Sequence, residues 1–173
     1  MVKYSWIVLL SFLFISNSYL QAQSRDSYIV NPPKGWECID DPSQLPQKIK
    51  VIYVCKGAGG SQFTPSINVA CEMTAVSLKE YVMLAKAYHE GQGETSCKLL
   101  GKVKTAAGVA ELIQIDRASQ WGEVRFFQAM LLHEGEAYVV TATCLKNEFN
   151  IYSSQILKAI QSLNIPEKTL QTK

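Results

Sequence analysis

No two of the five cysteines stand in C-x-x-C spacing, and the two histidines, His89 and His133, have no acidic or cysteine partner at metal-ligand spacing. A zinc ribbon and a thioredoxin-like dithiol are therefore not indicated. The one glycine-rich stretch, Gly57-Ala58-Gly59-Gly60-Ser61, lacks the Gly-Lys-Ser/Thr ending of a phosphate loop. It leads through Pro65 into a strand pattern, so no helix N-terminus faces a phosphate. Neither sign of charge dominates, with 17 Lys+Arg against 15 Asp+Glu. The nearest approach to a basic patch, Lys98, Lys102 and Lys104, has the spacing of a solvated strand face. Nucleic acid and an anionic membrane surface both need a clustered basic footprint, and the sequence has none. There is also no repeat, no low-complexity block and no interdomain linker.

What is present begins with a leader. Lys3 is the only charge before Arg25, Trp6 to Ile15 are apolar except for Ser11, and a polar stretch ends in Leu20-Gln21-Ala22. Positive, apolar, cleavable is the order of a secretory signal peptide. The apolar run is shorter than the roughly 20 residues that cross a bilayer as a stable helix. The rival is an uncleaved N-terminal anchor. No cysteine follows the run, so a bacterial lipid-anchor signal is missing. The expectation is a signal peptide over 1–23, a single domain over 24–173, no stable membrane span after cleavage, and an exported protein, periplasmic or secreted. A mature chain of roughly 150 residues is enough for one core.

Export changes the reading of Cys38, Cys55, Cys71, Cys97 and Cys144, because disulfides persist in oxidising compartments. At least one bridge is expected among them, and the pairing is open. The competing reading is packing: Cys55 follows Val51 and Tyr53 at period two, as Cys71 follows Ile67 and Val69, and a free thiol packs as a small apolar group.

Along the chain, "GWECID", "KIKVIYVCK" and "SINVACEMT" read as strands. A helix follows. Ser77 and Glu80 make a capping box, Val76 and Tyr81 have the spacing of a hydrophobic staple, and Gly91 offers a left-handed stop. Leu78, Tyr81, Val82, Ala85, Tyr88 and His89 form its inner stripe. "KLLGKVKTAAG" reads as a lead-in to three strands, "VAELIQIDR", "EVRFFQAMLLH" and "EAYVVTATCL". The second of these is apolar on both alternating faces, which belongs in a sheet covered on both sides. A closing helix, capped by Asn147 and stopped by Pro166, carries Phe149, Tyr152, Ile156, Ala159, Ile160 and Leu163. The sum is an α+β sandwich, a mostly antiparallel sheet with helices on its faces.

This order of elements resembles the PsbP-like family, an α/β/α sandwich shared by the photosystem II extrinsic protein PsbP, the Ran-binding Mog protein and many small exported bacterial proteins. The features that carry the resemblance are "PPKGWECI", "TPSINVACE", "SLKEYVMLAK", "TAAGVAELIQID", "EAYVVTATC" and "FNIYSSQILKAIQSL". They cover nearly all of the mature chain. The resemblance implies binding, scaffolding or assembly roles with no shared chemistry, and it places Trp36 in the core as the family's lead-in tryptophan.

Residue by residue, no catalytic group, cofactor or metal site is indicated, and no local signature supports a Cys-His nucleophilic pair. Trp121 differs from the other aromatics. It lies in the turn "ASQWGE" with Arg117 and Arg125 at equal distance on either side, the composition of a protein-binding hot spot. The alternative is a ring folded over a sheet edge with an arginine stacked on it. The function expected is that of an exported, non-enzymatic binding or accessory protein for a protein partner in an envelope complex. A small enzyme with a site assembled from distant residues is the alternative.

Overall fold

The computed structural model describes residues 29–56 and 63–165. The leader 1–23, the glycine stretch 57–61 and Pro166 lie outside the described residues. Strands β1 (Glu37–Ile39), β2 (Ile49–Val54) and β3 (Ser66–Met73) come first, followed by helix α1 (Leu78–Glu90). Then come β4 (Thr95–Thr105), β5 (Gly108–Ser119), β6 (Gly122–His133), β7 (Glu136–Leu145) and helix α2 (Phe149–Gln161). They form one sheet in the order β1-β2-β3-β7-β6-β5-β4. Every neighbouring pair is antiparallel. The chain lays down three strands, sends α1 across one face to the far edge, and returns strand by strand until β7 closes against β3. This is the single-domain α+β sandwich that the sequence predicts.

Helix α1 begins as its sequence dictates. Ser77 Oγ accepts from the Glu80 N–H at 3.3 Å, and Glu80 Oε2 accepts from the Ser77 N–H at 2.9 Å. Both donors would otherwise be unpartnered at the helix start. Its end differs from expectation. Gly91 stays in the right-handed region (φ −75), and the left-handed glycine is Gly93 (φ 66). The helix closes through the Gly91 N–H on Ala87 and turns two residues later.

Two further boundaries move. The segment read as a lead-in is itself β4, the edge strand. Its lysines leave it without a two-faced apolar pattern, which is how an exposed edge avoids pairing with other chains. At α2, Asn147 is not the cap: a 3-10 turn over Lys146–Glu148 joins β7 to the helix, and Glu148 takes the N-cap position without a side-chain hydrogen bond.

The double-faced pattern of β6 is realised. Phe126, Met130 and Leu132 pack toward α1 with Tyr81, Val82 and Ala85, beside Ile113, Ile115 and Val139. Phe127, Ala129 and Leu131 pack toward α2 with Ile156, Ile160 and Leu163, beside Tyr53, Ile67 and Val140. Trp36 joins this second layer, its ring edge-on to Tyr152 at 6.3 Å.

Candidate functional site

The β5–β6 hairpin turns through only Gln120 and Trp121. So tight a loop needs a residue free to take positive φ, which Gly122 supplies (φ 110). Ser119 locks it: its hydroxyl donates to the Gly122 carbonyl at 2.8 Å and accepts from the Trp121 N–H at 3.1 Å. The indole is half-buried, edge-on to Phe63 from the β2–β3 connection, with ring centres 5.7 Å apart. Beside it an open cleft of about 380 Å³ is lined by Trp121, Gly122, Glu123, Leu145, Lys146 and Asn147. Trp121 therefore leans on another aromatic ring, and no arginine among the described residues stacks on it.

The two arginines are not brought together. The hairpin register pairs Arg117 with Val124 and Asp116 with Arg125, so equal sequence distance from Trp121 puts them on opposite faces of the sheet. Arg125 faces α2. Its Nε and Nη2 donate to the two oxygens of Asp116 at 2.7 and 2.8 Å. Its guanidinium also lies 5.2 Å from the centre of the Phe149 ring, which stacks on Phe127 at 4.7 Å. Lys146 extends the network to Asp116 at 3.5 Å and Glu123 at 3.0 Å. Arg125 has thus committed its charge within the molecule, pinning the start of α2 to the sheet. Arg117, on the other face, lies half-buried near the last turn of α1.

On that face the structure reveals a polar contact that the sequence reading missed. Gln128 is only 4% exposed, and it sits directly opposite Thr141 in the β6–β7 ladder. Its amide donates to Thr141 Oγ1 at 3.2 Å, and its carbonyl oxygen lies 3.1 Å from His89 Nε2. A glutamine inside the strand "EVRFFQAMLLH" was the available signal. Without knowing that α1 crosses above it, nothing linked it to His89. Burial holds the His89 pKa below the ordinary histidine value. The hydrogen bond to Gln128 works the other way, and Arg117 adds to the depression. The second histidine, His133, stands half-exposed beside Glu134 at the β6–β7 turn.

In the structure all five cysteines stand as free thiols. The register gives the reason. Cys38 faces Tyr53, Cys71 faces Tyr138, Cys97 faces Ile115 and Cys144 faces Arg125. Cys55, just past β2, donates its N–H to Pro65 across the β2–β3 connection. No cysteine lies directly across a ladder from another, and a disulfide requires Cβ atoms about 3.8 Å apart. Burial pushes the thiols of Cys38, Cys71 and Cys144 up to about 11. Burial also raises Cys97. A thiol that burial keeps protonated is a poor nucleophile. Denaturation and alkylation without reduction should therefore label all five thiols by intact mass. A count of three or one would show that a bridge forms.

Among the described residues, no group of three or more His, Cys, Asp or Glu is placed to hold a metal ion. No described helix is long and apolar enough to cross a membrane. No family model and no curated protein matches the sequence. Solved structures do match. The protein of unknown function PA94 from Pseudomonas aeruginosa, a putative regulator by its description, superposes with TM-score 0.58 at 15% identity, over 74% of this chain and 89% of that one. LpqN of Mycobacterium tuberculosis, described as involved in cell envelope biogenesis, gives 0.55 at 12%, over 76% and 78%. Cyanobacterial PsbP (CyanoP) from Synechocystis sp. PCC 6803 gives 0.52 at 11%, over 78% and 84%. The Ran-binding protein Mog1p of Saccharomyces cerevisiae also gives 0.52, at 17%, over 76% and 85%. The chain has the PsbP/Mog-like α/β/α sandwich fold, and at these identities the likeness is one of fold.

Proposed function

We propose that this protein is an exported, non-enzymatic accessory protein that docks a protein partner at the sheet end carrying Trp121. The observation that carries the reading is the Trp121–Phe63 pair. It sets a large, half-exposed aromatic on a locked turn beside a cleft that holds both a lysine and an acidic residue. Rigid aromatics rimmed by charge are where binding energy concentrates. The open cleft favours docking over catalysis, since an enzyme site of this size class is enclosed and carries convergent polar groups. Export is supported by the leader 1–23, which places the mature N-terminus near Gln23 or Ser24. An envelope role accords with the description of LpqN, and a protein-binding role with that of Mog1p.

Arg125 is held by Asp116, so Trp121 is the anchor, and the charges at the cleft are Lys146 and Glu123. Trp121→Ala should weaken retention of the native partner by about 2 kcal/mol or more, as truncation of a hot spot does. Losing the edge-on contact with Phe63 should cost the fold about 0.5–1.5 kcal/mol. Pull-down from the envelope fraction and thermal melting on the same sample decide the matter. A partner lost only in proportion to unfolding would make Trp121 a packing residue.

A further inference from the structure

β4 is the last strand of the sheet, and along its 11 residues half of the backbone N–H and C=O groups turn away from β5. A register shift between Leu99 and Gly101 leaves Leu100 out of step and changes the face that later residues take. Before it, Cys97 packs on the α1 side, and Leu99 stands across from Ile113 of that same core. After it, Val103 packs on the α2 side, across from Ala110. Lys102 and Lys104, on either side of Val103, therefore project on the α1 side with Leu99. Leu99 and Leu100 are 53% and 47% exposed, and Val109, across from Lys104, is 50% exposed. The lysines of β4 are also uncommitted. Lys48, Lys56, Lys86 and Lys146 each meet a carboxylate of the chain. Among the described residues, Lys98, Lys102 and Lys104 form no ion pair, although Lys102 stands across the ladder from Glu111.

We propose that the β4 edge is a second docking surface, which takes an extended acidic segment of a partner protein as an added strand. The added strand pairs its main chain with the outward groups of β4. It sets two acidic side chains, two residues apart, opposite Lys102 and Lys104, and an apolar residue further along the same face beside Leu99. Charge decides among the occupants. A second copy pairing β4 with β4 brings the lysines of both chains together, and like charges across a ladder are destabilising. A neutral strand leaves the lysines without partners. An acidic strand gains an opposite-charge pair at each of them. The lysines that keep this edge from pairing indiscriminately thus also select what does pair. Lysines serving only to repel need no apolar neighbours. Here Leu99, Leu100 and Val109 leave apolar surface among the charges, the anatomy of an interface with a polar rim.

This surface does not depend on the Trp121 turn. Lys102 and Lys104 lie toward the Ala106-Ala107 turn that joins β4 to β5, whereas Trp121 lies in the turn at the other end of β5. Its ion pairs form in water, so salt weakens them as the screening length falls from about 10 Å at 0.1 M to about 3 Å at 1 M.

The test is an NMR titration of the folded protein with end-blocked synthetic peptides that alternate glutamate with threonine, a residue suited to strands. Amide shifts should saturate and map to Thr95–Thr105, with slower amide exchange along the same strand. Two control peptides should bind several-fold more weakly: one with glutamine for glutamate, and one with proline at alternate threonines, which cannot pair as a strand. In Lys102→Glu/Lys104→Glu the preference should reverse, toward a peptide with lysine in place of glutamate. If that variant does not fold, Lys102→Gln/Lys104→Gln carries the test by losing the preference for glutamate over glutamine. Trp121→Ala should bind the glutamate peptide as the parent does, whether or not it keeps the native partner. No saturable binding, shifts centred outside β4, or equal binding of the glutamine peptide would overturn the proposal. Equal binding of the proline-interrupted peptide would reduce it to adsorption of charge. Protection of β4 that rises with protein concentration alone would give the edge to a second copy instead.

Discussion

Arg125→Ala is expected to destabilise the domain by about 2–4 kcal/mol, the scale for removing one partner of an enclosed ion pair. The side chains of Arg125 and Asp116 are only 17% and 12% exposed, and their two parallel hydrogen bonds leave little room for water to replace the guanidinium. The loss has three parts: the pair itself, the stacking over Phe149, and a carboxylate left with Lys146 at 3.5 Å as its nearest remaining cation. A melting temperature lower by roughly 10 °C is the matching signal for a domain of this size. The pH dependence identifies the cause. The hydrogen bond from Arg125, against the cost of burial, holds Asp116 well below the ordinary carboxylate value. Its contribution is therefore present above about pH 4 and lost as the pH falls through the depressed native pKa. Parent and variant stabilities should converge in acid. If Arg125→Ala melts like the parent and selectively loses its partner, the arginine belongs to the docking surface after all.

Ile160→Ala should cost about 2–5 kcal/mol, through the lost transfer energy of the side chain and the cavity it leaves. Ile160 is fully buried against the sheet, among Tyr53, Val140 and Leu163. Ile151, on the same helix, is 66% exposed, and Ile151→Ala should change stability by less than about 0.5 kcal/mol. Chemical denaturation of the two variants side by side tests whether α2 faces the sheet as described. Equal effects would mean that the helix is rotated.

Much of this was legible in local chemistry. Ser77 and Glu80 mark the start of α1 because the capping box is made by residues three apart, within reach whatever the rest of the chain does. The alternating pattern of "EVRFFQAMLLH" announces a sheet covered on both faces because side chains leave a strand in alternate directions. Tyr152, Ile156, Ala159 and Ile160 announce the inner face of α2 for the same kind of reason, a period set by backbone geometry.

Other features depend on partners distant in sequence, and there only the tertiary structure decides. β4 looked like a lead-in because its lysines suit an edge, and its place at the edge follows from the path of α1 across the sheet. The five cysteines are sequence facts, but whether any two can bond depends on ladder register, which sets Tyr53, Tyr138, Ile115 and Arg125 across from four of them. Arg117 and Arg125 look symmetrical about Trp121, yet a pairing that sets Arg117 opposite Val124 sends them to opposite faces. His89 and Gln128 are 39 residues apart, and only the crossing of α1 over β6 makes them neighbours. The single chain thus determines its elements through contacts a few residues long, whereas its candidate surfaces arise where the fold brings distant residues together.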